Sequence, residues 1–138
     1  MTPNQIELVK DSFQRVAPVA SSLSLTFYTE LFRIAPSLRA YFPPEMHSQR
    51  VKLVDTLSAV VLNLHQLQAL NDTIAGLAQR HVAYGARPEH FAPVGHALVY
   101  ALDKTTPNGL TPVETEAWVA AYAELTDLMV DAMVNSAA

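Results

Sequence analysis

Proline constrains this sequence most, because its nine occurrences cut the chain into segments that each carry a helical apolar period. A proline is tolerated in the first turn of a helix and not in its interior, so each one marks a start or a stop. Thr2-Pro3 opens a first helix, with threonine as N-cap, proline in the first helical position and Gln5 completing a capping box. Ile6, Val9, Phe13 and Val16 form its apolar stripe, and Pro18 interrupts it. A second helix runs from about Val19 to Ile34 and is apolar on more than one side, through Leu23, Leu25, Phe27, Leu31 and Phe32. A helix of that kind is central to a fold and not superficial.

Pro36 starts a short turn of helix through Leu38 and Tyr41, which Phe42-Pro43-Pro44 ends. A longer helix, from about His47 to Leu64, carries the stripe Leu53, Leu57, Val60, Leu64, and a polar joint follows. The next helix sets Leu70, Ile74, Leu77 and His81 on one face. Asn71 or Asp72 can cap its start, and Gly85 can end it in the left-handed conformation. Arg87-Pro88 opens a further helix through Val94, Leu98 and Leu102, stopped near Pro107-Asn108-Gly109. Thr111-Pro112-Val113-Glu114 then repeats the opening signature and launches a last helix through Trp118, Tyr122, Leu125, Met129 and Met133. No sustained alternation of β-branched residues is present, so strands are not expected. Seven or eight helices of unequal length, with irregular joints, fit an all-α arrangement of helices crossing obliquely around a pocket better than a four-helix bundle.

A chain of 138 residues is expected to form one domain, residues 1–138, and can bury about two-thirds of its unfolded surface. It has no cysteine, which excludes disulfides, thiolate metal sites and cysteine nucleophiles. The net charge of −4 argues against a nucleic-acid surface. Beyond Lys104 there is no lysine or arginine, while Glu114, Glu116, Glu124, Asp127 and Asp131 all lie there. That stretch reads as a solvated helix face or as a docking surface for a basic partner. No apolar run approaches the roughly twenty residues that span a bilayer, so membrane insertion is not expected. Met1-Thr2-Pro3-Asn4-Gln5 lacks the basic stretch and apolar core of a signal peptide, and the expected location is the cytoplasm.

Four side chains can carry chemistry. His81 is polar on an apolar face, and such an imidazole is a core histidine, a surface switch or a metal ligand. Tyr28 lies in the most apolar helix, where its phenol needs a protein carbonyl or a ligand as partner. Gln49 extends the stripe of Leu53 with an amide, and reads equally as a solvated residue or a cap. Phe42 is an aromatic wedged between Tyr41 and the Pro-Pro corner, suited to packing.

The order and spacing of several short motifs resemble a bacterial single-domain globin, close to the haem domain of flavohaemoglobins and to neuroglobin-like bacterial globins. The motifs are Phe27-Tyr28-Thr29-Glu30-Leu31-Phe32, Pro36-Ser37-Leu38-Arg39-Ala40-Tyr41-Phe42, Ser48-Gln49 with Lys52-Leu53, Arg80-His81 with Gly85, His90-Phe91 with Val94-Gly95, and the last helix around Trp118 and Tyr122. The likeness covers essentially the whole length. It implies a globin fold and haem b (iron protoporphyrin IX) as cofactor. It implies His81 as iron ligand, Phe42 against the porphyrin, and Tyr28, Gln49 and Leu53 on the distal side where gas binds. Leu57, Leu77, Val94 and Leu98 complete the implied cofactor contacts. The carbonyl of Leu77, one turn back, is the natural acceptor for the other imidazole nitrogen. His47 lies two residues from Gln49, about 200° around the helix, and should point away. His65 and His96 read as surface or core residues, and solvent exposure is expected for His90 and Arg80.

The sequence also departs from the flavohaemoglobin pattern. There a tyrosine and a glutamate back the proximal histidine; here the matching positions hold Phe91 and Met133. Neither can accept a hydrogen bond from imidazole. At this length the chain is expected to carry no reductase modules. The resemblance therefore implies a protein that reversibly binds dioxygen, carbon monoxide and nitric oxide, as a monomer or weak homodimer and with no catalytic residue assigned. The alternatives are nitric oxide dioxygenation with an external reductase and a gas sensor.

Overall fold

Two capping boxes frame the chain. The Gln5 amide N–H donates to Thr2 Oγ1 at 3.1 Å, and the Thr2 N–H returns a bond to Gln5 Oε1 at 3.0 Å. Thr111 and Glu114 repeat the arrangement at 3.2 and 2.9 Å. Each box satisfies two amides that a helix start would otherwise leave unpaired. The computed structural model describes residues 1–137, the side chains of residues 68 and 135–137 aside. It has six α-helices: α1 Pro3–Val16, α2 Ala20–Ile34, α3 His47–Leu62, α4 Asn71–Ala83, α5 Phe91–Thr105 and α6 Pro112–Ala137. Short 3-10 turns occupy Ala17–Val19, Pro36–Tyr41, Leu64–Leu70 and Pro88–His90. There is no strand among the described residues.

Six α-helices are fewer than the seven or eight expected, because the Pro36 segment winds as a 3-10 turn. Pro36 at one end and Phe42-Pro43-Pro44 at the other leave it six residues, too few to repay nucleation of an α-helix. Two other expectations are corrected. Neither Asn71 nor Asp72 caps α4; Leu70 occupies the N-cap, and no side chain bonds the first amides. The chain enters α4 directly from a 3-10 turn, so Asn71 is already helical. The joint before it is not simply polar, since Leu64 and Leu67 anchor it in the core around a non-helical Gln66 (φ −152°, ψ 57°). Of the five apolar residues named on α2, Leu25 alone is exposed, at 54%.

The core is built by three helix pairs: α2 on α5, α4 on α6, and α1 on α6. Val9, Val16, Leu23 and Leu31 are fully enclosed. The α1–α6 seam is fixed by Trp118, whose Nε1–H donates to buried Ser12 Oγ at 2.8 Å, with the Phe13 ring 6.2 Å away. Arg15 closes the same seam by pairing with Glu114. By contrast α3 and α4, although consecutive, are not among the closely packed pairs. Each packs on another helix instead, α3 on α2 and α4 on α6. No helix among the described residues is long and apolar enough to cross a membrane.

Burial raises the pKa of the Glu114 carboxyl, but the Thr111 backbone N–H, Arg15 and the Thr111 hydroxyl outweigh it and hold the group below the usual carboxylate range. A carboxyl lowered on folding stabilises the protein above its unfolded pKa, about 4.3, and loses that contribution as pH falls further. Glu114→Gln is therefore expected to lower the urea midpoint at pH 7, and the gap from wild type should close by pH of about 3.

Candidate functional site

His81 occupies the last turn of α4, and three features fix it. Its Nδ1 lies 2.7 Å from the carbonyl oxygen of Leu77. A carbonyl only accepts, so Nδ1 is the donor, and Nε2 is the ring nitrogen that this bond leaves for another partner. The Phe91 ring stacks on the imidazole at 6.4 Å between centroids, 23° from parallel. The helix end is locked as well: Ala86 N–H donates to the His81 carbonyl at 2.8 Å and Gly85 N–H to that of Val82 at 3.0 Å. Those two bonds form a Schellman motif around Gly85 at φ 87°, the left-handed ending its sequence position suggested. A Cβ at Gly85 would stand 3.3 Å from the Tyr41 ring.

α2 and α3 carry the other polar groups. Tyr28 is only 6% exposed and sits in an aromatic cluster, its ring centroid 4.8 Å from Phe27, 5.9 Å from Phe32 and 5.6 Å from Phe42. Arg39 holds this corner in place. Its guanidinium lies over Phe32 and donates to the carbonyls of Phe42, Pro43 and Pro44 at 3.3, 2.9 and 3.1 Å. Burial pushes the Tyr28 phenol above its usual pKa, while hydrogen bonding with the Gln49 side chain pulls the other way. The phenol is thus neutral at pH 7 and keeps a proton to donate. Gln49 is half-buried in the first turn of α3.

The remaining expected site residues divide by burial. Leu57 and Leu98 are enclosed, whereas Phe42, Leu53, Leu77, Val94 and His81 are only half-buried. These half-covered apolar side chains on α3, α4 and α5 offer apolar surface that a flat apolar group could cover. His47, His65, His96 and Arg80 are exposed. His90 departs from the expectation of exposure: it is half-buried, its ring 5.2 Å from Tyr41, and its Nδ1 accepts from the Arg87 N–H at 3.1 Å. The 3-10 turn at Pro88–His90 folds the ring back under the corner. Met133 is buried and Phe91 half-buried. No group of three histidine or acidic side chains among the described residues could hold a metal ion. A metal at His81 would need its other ligands from a cofactor.

Sequence reasoning missed one contact. Tyr122 Oη donates to the Phe91 carbonyl at 2.7 Å, and its ring covers Gly95, where a Cβ would stand 2.6 Å from Cε2. A glycine inside an otherwise regular helix was the available signal.

The sequence profile of the globin family matches residues 25–129. A flavohemoprotein of Vibrio cholerae is 28% identical over 95% of this chain, which spans 34% of that relative's length. Among solved structures, a bacterial globin from Campylobacter jejuni superposes with a TM-score of 0.88 at 23% identity, covering 97% of both chains. A flavohemoglobin from Malassezia yamatoensis, with bound FAD and heme, gives 0.82 at 15% identity over 97% of this chain and 37% of its own. The chain belongs to the globin family. Its cofactor is haem, and the residues present fit that group: an imidazole tied to a carbonyl through Nδ1, half-covered leucines, and a phenol and an amide on separate helices.

Gly85→Ala forces a side chain into left-handed backbone and is expected to cost about 1–2 kcal/mol, measurable by urea denaturation. An unchanged midpoint would mean that α4 ends without this motif.

Proposed function

We propose that this globin reversibly binds dioxygen and other diatomic gases, with His81 as the iron ligand of haem b. In this reading Phe42, Leu53, Leu57, Leu77, Val94 and Leu98 surround the porphyrin, and Tyr28 and Gln49 serve the gas. The observation that carries it is the buried, neutral phenol of Tyr28 with Gln49 as its neighbour. Haem supplies an iron that takes up the gas. The chain's own residues do the rest. Leu77 orients the imidazole through its carbonyl, and Tyr28 and Gln49 offer two donors to an oxygen that gains partial negative charge. At about 1–1.5 kcal/mol per net hydrogen bond, two donors slow oxygen release on the order of a hundredfold. Leu53 and Leu57 exclude water, which strengthens both bonds. Phe91 and Met133 leave the imidazole with the Leu77 carbonyl as its acceptor, so it donates little extra electron density. That balance favours holding gas over rapid redox turnover.

Tyr28→Phe is expected to raise the oxygen dissociation rate about tenfold or more, and Gln49→Leu to raise it less. Stopped-flow measurement of release reads both, and an unaltered rate in Tyr28→Phe removes that phenol from the gas site. His81→Ala should abolish the Soret band of the purified protein.

A second reading is nitric oxide dioxygenation with an external reductase. One observation favours it: the chain is similar to about a third of a flavohemoprotein, and to part of a flavohemoglobin that holds FAD beside heme. Dioxygen held by Tyr28 and Gln49 would combine with nitric oxide to give nitrate, and the reductase would return one electron per turnover. Mixing with nitric oxide and a flavin reductase separates the readings. Sustained nitrate production supports the enzyme, and a single stoichiometric burst supports reversible binding.

A further inference from the structure

We propose that Tyr122 is a positioning residue for His81: by holding the Phe91 carbonyl, it fixes the aromatic plane against which the imidazole stacks. The proposal rests on His81 as iron ligand. Three contacts on three helices form the chain of restraint. The phenol of α6 donates to the carbonyl of Phe91, the first residue of α5, at 2.7 Å. The Phe91 ring lies 23° from parallel with the imidazole of α4. The imidazole is tied at its edge to the Leu77 carbonyl at 2.7 Å. One restraint acts on the edge of the ring and the other on its face, so rotation about the Cβ–Cγ bond of His81 is limited twice.

Gly95 makes the reach possible. It lies one turn beyond Phe91 on the same face of α5, and the Tyr122 ring passes directly over it. A methyl there would sit 2.6, 2.9 and 3.2 Å from Cε2, Cδ2 and Cζ, distances no side chain accommodates without moving the ring. Tyr122 is also a dependable donor. Burial pushes its pKa up to about 12, against an opposing interaction with the buried Thr126 hydroxyl. At pH 7 the phenolic proton stays on the oxygen that faces Phe91.

A bolt that merely fastens α6 to α5 would add stability and leave the metal centre unaffected. A positioning residue alters the imidazole itself. The discriminating readout is the iron–imidazole stretching band of the ferrous, ligand-free holoprotein by resonance Raman, together with the rate of haem transfer to an apoglobin acceptor. In Tyr122→Phe the band should broaden or split, and haem loss should quicken about two- to tenfold, the value of one net hydrogen bond. Phe91→Leu removes the stacked plane directly and should give the same change, with no further effect when the two are combined. Leu125→Ala, which weakens the packing of α6 and leaves the Tyr122 phenol in place as donor, should lower stability and leave the band as it is. If the band in Tyr122→Phe and in Phe91→Leu matches wild type, the positioning role is overturned while His81 remains the ligand. If wild type shows no such band, His81 is not the ligand and both readings fall. Should Tyr122→Phe not fold, Phe91→Leu decides alone.

Discussion

Keeping two consecutive helices apart is harder for a small all-α protein than packing them, because apolar surface closes any gap left to it. Here α3 and α4 are not among the closely packed pairs, because each helix is held from elsewhere. α4 lies against α6, with Ile74 and Ala78 on one side and Met129 and Met133 on the other all buried. α3 lies against α2 and reaches the core through Leu57, Val60 and Val61. The turn between them is nailed down by Leu64 and Leu67, so it cannot swing to bring the helices together. Both polar ends of the site depend on this separation.

The two sides of that site are chemically unlike. The side of Tyr28 is aromatic and dense, with its corner braced by one guanidinium bonded to three successive carbonyls. The side of His81 is ordered by a carbonyl, a phenyl ring and a helix ending. One side presents protons, and the other ties down an imidazole through its Nδ1. Under the proposed gas-binding reading, that asymmetry would give a bound gas two donors and add little to the basicity of His81.

Much of this was legible in the chain because the signals are local. Thr2 and Thr111 cap with their partners three residues on, and Gly85 and Gly109 take left-handed backbone where a helix or turn must end. The apolar period placed His81 on the inner face of α4, and Trp118 on that of α6. What escaped depends on where the helices go after they form. Asn71 has the right chemistry for a cap, yet the preceding turn carries the chain into the helix a residue too early. Leu25 is apolar on a central helix, but no neighbour covers that side of it. Tyr122 and Gly95 lie 27 positions apart, and nothing in either local pattern says that one ring will rest on the other's bare backbone.

In the proposed reading, the half-covered leucines of α3 and α4 also tie the upkeep of this chain to cofactor supply. Folding without porphyrin leaves Leu53 and Leu77 partly wet and gives up transfer energy that the filled slot recovers. By mass action, whatever occupies the folded slot and ignores the unfolded chain adds RT ln(1 + [L]/Kd) to its resistance to unfolding. In a proteolytic environment, abundance of this globin would thus track the supply of haem.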